Sequence, residues 1–190
     1  MADESSTTAL YDCKLLADLD FGTLNLKLPS GSSPLNPSPS LVVRPLQRDD
    51  FDKGYLQLLS NLTEVGDVTK EMFYKRFDHM KSWQNSHFVT VIEDTSTGKI
   101  IGNTTLVIEQ KFIHCATYRG RIEDVIVDDA YRGKQLAKIL VGSMVLLSEK
   151  VDCYKLTLEC TEDYMPFYQK FGLATNQSRY MQKKFFDVKS

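Results

Sequence analysis

Arg119-Gly120-Arg121-Ile122-Glu123-Asp124-Val125-Ile126-Val127-Asp128-Asp129-Ala130-Tyr131-Arg132-Gly133-Lys134-Gln135-Leu136-Ala137-Lys138 runs from an apolar strand pattern into an amphipathic helix pattern. Two adjacent acids stand in the middle of the strand. An ionised carboxylate there must be hydrogen-bonded, paired or functional, because burying it alone is costly. The Arg132-Gly133 pair then turns the chain into the helix. A glycine at such a turn lets a ligand approach main-chain N–H groups, and the start of the helix adds a dipole that favours anions. One short segment therefore sets a base beside an anion cradle. A kinase-type phosphate loop, G-x-x-x-x-G-K-[ST], does not fit, because position 128 is Asp and position 135 is Gln.

Working outward, Leu41-Val-Val-Arg44 reads as a strand stopped by Pro45, and Asp49-Asp50 as the acidic first turn of a helix carrying Phe51, Tyr55, Leu58, Leu59 and Leu62. A second helix begins at Thr69. Phe88–Glu93 and Ile100–Glu109 read as a hairpin turned by Thr97-Gly98. A long helix spans Gln135–Lys150, followed by a strand over Tyr154–Glu159. A short helix over Glu162–Phe171 tolerates Pro166 in its first turn and stops at Gly172. Tyr180–Phe186 reads as a last strand. The order predicts one mixed α/β domain over residues 41–190. Residues 29–40 hold four of the six prolines and little else that could pack, so residues 1–40 read as an N-terminal arm and Pro/Ser-rich linker. Apolar residues around Leu15 to Leu28 could dock on the domain.

At 190 residues with 42% apolar and 25% charged, the chain is long enough for one sizeable core. The net charge of −2 supplies no basic field for nucleic acid. No signal-peptide pattern and no run long enough to span a bilayer are visible. The four cysteines lack C-x-x-C spacing and read as reduced thiols of a cytoplasmic protein, with peripheral association on endomembranes left open. His79, His87 and His114 have no metal-ligand spacing, so no metal is expected.

The strand, the Arg132-Gly133-Lys134-Gln135-Leu136-Ala137 loop on a helix, the next strand and Phe167-Tyr168-x-x-Phe171-Gly172 together resemble the GNAT superfamily of N-acetyltransferases. Lys111-Phe-Ile-His114, Glu123-Asp124, Cys153-Tyr-Lys155 and Leu158-Glu-Cys160 narrow the resemblance to its branch that acetylates the amine of glucosamine 6-phosphate, in UDP-N-acetylglucosamine biosynthesis. It covers roughly residues 41–185. The superfamily loop pattern R/Q-x-x-G-x-G/A is kept at Arg132 and Ala137, with Gln135 at the usual Gly.

The resemblance implies a GNAT α/β fold with a mixed sheet flanked by helices, acetyl-CoA as co-substrate, direct transfer in a ternary complex and a homodimer with shared active sites. It assigns the acetyl-CoA site to Val125, Ile126, Val127, Arg132, Gly133, Lys134, Gln135, Leu136, Ala137, Lys138 and Tyr168, with the Val125 N–H polarising the thioester carbonyl. Both Glu123 and Asp124 go to the sugar amine, with Glu123 the proton acceptor, directly or through water, and Asp124 orienting the sugar. Strand alternation puts their side chains on opposite faces, and either acid could instead pair with Arg119 or Arg121. Tyr168 is assigned to protonate the departing thiolate; its bland alternative is a core tyrosine. Thr63, Lys111, Phe112, Ile113, His114, Glu159 and Lys184 fall at sugar-phosphate positions. Lys183 and Lys184 also fit a solvated edge strand. Tyr164 replaces a common Asn, so no cofactor contact carries over there. Cys160 reads as a small buried filler. The alternatives are a GNAT enzyme for another small amine or a peptide, and a catalytically silent acetyl-CoA-binding module.

Overall fold

The computed structural model describes residues 9–177 and 179–185. Five strands, β1 (Leu41–Pro45), β2 (His87–Asp94), β3 (Lys99–Gln110), β4 (Tyr118–Val127) and β5 (Cys153–Thr157), form one sheet in chain order. The first four are antiparallel, and β4 and β5 are parallel. A parallel step needs a crossover. The 15-residue helix α4 (Leu136–Lys150) supplies it, after α1 (Lys14–Ala17), α2 (Tyr55–Leu59) and α3 (Lys70–Ser82) earlier in the chain. α4 lies on one face of the sheet, where Ile139, Leu140, Val141, Met144 and Leu147 are fully buried. On the other face Tyr55 and Leu58 of α2 and Phe73 and Phe77 of α3 pack on Val89, Val91 and Ile100.

Thr69 caps α3 by accepting the Met72 N–H at 3.2 Å. The expected helix from Asp49 is broken: Arg48–Phe51 makes a 3₁₀ turn, and α2 starts only after Gly54, which has φ +78°. Asp50 is buried rather than part of an exposed acidic turn. It is held by Arg44 at 2.6 Å and by the Gln47 N–H at 2.7 Å. The strand expected over Tyr154–Glu159 ends at Thr157. The helix near Pro166 is a run of 3₁₀ turn, α5 (Met165–Tyr168) and 3₁₀ turn. The expected last strand is not in the sheet: residues 179–185 are exposed coil, and Phe186 lies outside the described residues.

The N-terminal segment is part of the core. Leu10, Leu16, Leu19 and Leu24 are buried, and the Leu10 N–H donates to Leu46 O at 2.8 Å. The Pro/Ser-rich stretch lies along β1, where the Val43 N–H donates to Leu35 O at 2.8 Å and the Thr95 N–H to Ser40 O at 2.7 Å. Among the described residues no helix is long and apolar enough to cross a membrane.

Candidate active site at the parting of two strands

β4 and β5 pair only from Tyr118↔Cys153 to Arg121↔Thr157. Beyond Arg121 the strands part, and a cavity of about 1010 Å³ opens between them. Its walls include Ile122 to Asp129, Arg132, Ala137, Leu158, Glu159, Cys160, Tyr164, Phe167 and Tyr168, with Asn61 and Leu62 after α2.

A bulge decides what faces this space. On β4 the register jumps from Thr105↔Glu123 to Asn103↔Ile126, and Asp124 has φ +52°. Ile122 and Val125 pack on the α4 side, whereas Ile126 packs with Tyr55 and Leu58 on the other. The extra residue therefore interrupts alternation between Ile122 and Val125. Glu123 and Asp124 both line the cavity, which corrects the expectation of opposite faces. Asn103, fully buried on β3, donates its Nδ2 to Asp124 O at 2.8 Å. Its Oδ1 has no partner among the described residues, an arrangement usually costly in a core.

The electrostatics of the two acids differ. Glu123 is ion-paired with Arg121, which also reaches Glu159 at 3.8 Å. The pairing with Arg121 left open by the sequence is thus the one formed. Asp124 carries no ion pair or side-chain hydrogen bond among the described residues. Although the residue keeps an exposed face, partial desolvation, then the neighbouring Glu123 charge, push its carboxyl above the ordinary aspartate range. Burial, then Cys160 and Tyr164, push the Tyr168 hydroxyl up, so it is a protonated donor at neutral pH. Cys160 is exposed and lines the cavity, which corrects its reading as a buried filler.

The loop after β4 is fixed from both sides. Asp128 donates its N–H to Ile101 O at 2.8 Å, and the Tyr131 hydroxyl donates to Asp94 at 2.5 Å. Gly133 has φ +82° and Gln135 φ +59°, and α4 begins without a side-chain cap. Main-chain N–H groups from Gly133 to Lys138 have no acceptor among the described residues. An uncapped helix start of this kind suits an anion. The side chains of Lys134, Gln135, Leu136 and Lys138 are turned elsewhere: Lys134 lies over the Tyr131 ring, Leu136 is buried, and Gln135 and Lys138 contact the N-terminal segment. Arg132 pairs with Asp129 at 2.5 Å.

The structure thus brings Glu123, Asp124, Glu159, Val125, Ile126, Val127, Arg132, Ala137 and Tyr168 together. It does not bring Thr63, Lys111, Phe112, Ile113, His114 or Lys184 into the cavity lining. Lys111 pairs with Glu109 at 2.5 Å, and the His114 ring stacks on Tyr154 at 4.2 Å. Lys183 lies 5.3 Å over the Phe185 ring, away from the cavity. Sequence reasoning missed Asn103 and the Asp94–Tyr131 anchor; it quoted Phe167 only as a motif residue and assigned Tyr164 no contact, and both line the cavity. A lone Asn within a β-branched strand was the signal available for the first. Among the described residues no group of three His, Cys, Asp or Glu side chains is placed to hold a metal ion.

Residues 53–173 match the model of the acetyltransferase (GNAT) family. A Drosophila melanogaster protein named as a probable glucosamine 6-phosphate N-acetyltransferase is 47% identical over 173 residues, 90% of this chain and 78% of that one. The Arabidopsis thaliana glucosamine 6-phosphate N-acetyltransferase is 39% identical over 75% of this chain and 95% of its own length. The crystal structure of a glucosamine-6-phosphate N-acetyltransferase from Arabidopsis thaliana superposes with a TM-score of 0.73 at 38% identity, covering 77% of this chain and 99% of that one. The parted strands, the bulged acid pair and the uncapped helix between them coincide with the stretch the family model spans, and the chain belongs to the GNAT acetyltransferase family.

Proposed function

We propose that the protein transfers the acetyl group of acetyl-CoA to the amine of glucosamine 6-phosphate, giving N-acetylglucosamine 6-phosphate and CoA as a supply for UDP-N-acetylglucosamine. GNAT acetyltransferases use acetyl-CoA, and relatives named for this sugar phosphate support the substrate. The observation that carries the reading is the β4 bulge, which puts two carboxylates into the cavity that also receives Tyr168 and the start of α4.

The residues divide the chemistry. Main-chain N–H groups from Gly133 to Lys138 take the pyrophosphate with the helix dipole behind them. The Val125 N–H points a donor at the thioester carbonyl oxygen, a contribution of about 3 kcal/mol in other acyl transfers. The sugar ammonium must lose a proton before its nitrogen attacks the carbonyl carbon. Asp124, without a cation partner and with its carboxyl pushed up, is suited to take that proton. Glu123 and Glu159, held around Arg121, grip the sugar. A second reading keeps Glu123 as acceptor once Arg121 turns to the sugar phosphate. As the C–S bond then breaks, the acylated nitrogen sheds its second proton to solvent, Tyr168 gives its proton to the departing sulfur and regains one from solvent, and Asp124 releases the proton it took.

We further propose a cytoplasmic homodimer. The cavity has few cations for a phosphate, while Lys111, His114 and Lys184 lie outside it. Beside them Phe112, Ile113, Tyr180, Met181 and Phe185 are exposed, with Phe112 at 101%. Exposed large apolar side chains concentrated in these two segments fit an interaction surface. It supports a partner chain whose Lys111–His114 loop and residues around Lys184 complete the sugar site. The domain division at residue 41 is a division of chemistry only, with residues 9–40 serving as scaffold.

Thiol release from acetyl-CoA, measured with purified protein, tests the function. Glucosamine 6-phosphate should drive release far better than unphosphorylated glucosamine. Release with a peptide or another amine but not with this sugar phosphate overturns the substrate, and acetyl-CoA binding with no release for any amine favours a silent binding module.

A further inference from the structure

Gln135 stands at the head of α4 in a left-handed conformation, φ +59°. Its side-chain amide meets the peptide of Lys27, 108 positions earlier. It accepts the Lys27 N–H at 3.1 Å and donates to the Lys27 carbonyl oxygen. The geometry is that of one strand residue pairing with another. One turn along, Lys138 Nζ donates to Asn25 O at 2.9 Å. A turn further, Leu24 fills the notch left by Gly142, where an added Cβ would sit 2.2 Å from Leu24 Cδ1. Three successive contacts thus fasten residues 24–27 along the start of α4, and neither Gln135 nor Lys27 lines the cavity.

We propose that Gln135 is a positioning residue: by clamping the Lys27 peptide it holds the left-handed turn that presents the first N–H groups of α4 to acetyl-CoA. A glutamine in that backbone region is disfavoured on its own, so the clamp supplies what the residue's intrinsic preference does not. Docking of the arm and binding of acetyl-CoA then reinforce each other, since any coupling between two binding events is reciprocal. The inference rests on the functional reading above in placing acetyl-CoA at this loop.

The test uses the full chain and the variant Gln135→Gly, which keeps access to positive φ but removes the amide. The expected result is a KM for acetyl-CoA raised at least threefold with kcat within twofold, and tryptic cleavage after exposed Lys27 at least tenfold faster. CoA added to the wild type should slow that cleavage, and slow it less in the variant. Leu24→Ala, which loosens the same docking from the arm side, should raise the same KM. An unchanged KM in Gln135→Gly, or unchanged protection at Lys27, overturns the clamp. Calorimetric titration of CoA into the wild type separates the two failures: no heat of binding sinks the functional reading, whereas normal binding with an indistinguishable Gln135→Gly sinks the clamp alone.

Discussion

At the scale of single residues, the informative contrast is between neighbours. Glu123 has a guanidinium partner and Asp124 has none among the described residues, although one peptide bond separates them. If Asp124 takes the proton, Asp124→Asn should lower kcat by about 10²–10⁴, the usual range for a lost general base. Glu123→Gln should then act mainly on the sugar KM, and the reverse pattern in steady-state kinetics would return the acceptor role to Glu123. Asp124 also has a stability signature. Its folded-state pKa is raised, so its contribution is fully present below the unfolded aspartate value and is lost as pH rises through the folded one. Asp124→Asn should therefore melt at a higher temperature than the wild type at pH 7, and the gap should vanish below about pH 3.9. Asn also tolerates positive φ, which leaves the bulge intact. Tyr168→Phe should slow thiol release less than loss of the base, because CoA thiolate leaves partly unaided.

At the scale of elements, the bulge is the device on which the site depends, and one hydrogen bond from Asn103 marks where it forms. Asn103→Leu removes that donor from the partly buried Asp124 carbonyl, a change that costs roughly 1–3 kcal/mol. Circular dichroism should show a lowered melting temperature with secondary structure retained, and kcat should fall more than KM for acetyl-CoA. Periodicity revealed the strand but not its irregularity. Period-2 alternation assigns Glu123 and Asp124 to opposite faces, and nothing in Ile-Glu-Asp-Val announces a left-handed residue. The helix from Asp49 failed for a similar reason: its apolar spacing is continuous, yet Gly54 at φ +78° divides it. By contrast the start of α3 was legible to within one residue: it was read at Thr69, which the structure shows capping a helix whose first residue is Lys70. The motif residues at the start of α4 were found by resemblance, and only the structure showed that the side chains of Gln135 and Lys138 contact the arm while Arg132 and Ala137 line the cavity.

At the scale of the molecule, the described part of the expected last strand stays outside the sheet as exposed coil, because a pattern of alternating residues does not by itself supply an edge to pair with. The proposed shared site gives a sharp test. Mixing Lys111→Ala with Asp124→Asn, each inactive alone, should restore up to about a quarter of wild-type activity if subunits exchange at random and sites combine both chains. No recovery after subunit exchange would confine each site to one chain. Acid sensitivity has its own anchor. Hydrogen bonds from Ser96 and then Tyr131 hold the Asp94 carboxyl down to about 2. Its contribution is present above the unfolded pKa and disappears as pH falls from about 4 toward 2, so Tyr131→Phe should shift acid unfolding, followed by fluorescence, to higher pH.

The divergence of β4 from β5 after Arg121 has a thermodynamic corollary. Past Arg121 the stretch of β4 from Ile122 to Val127 lines a seam that β5 does not close, and a pantetheine lying there would act as a sixth ribbon. Such a guest binds the folded chain and not the unfolded one. A hundredfold excess of CoA over its Kd should therefore protect the fold by about 2.7 kcal/mol. The enzyme's lifetime at elevated temperature would then report the surrounding coenzyme supply.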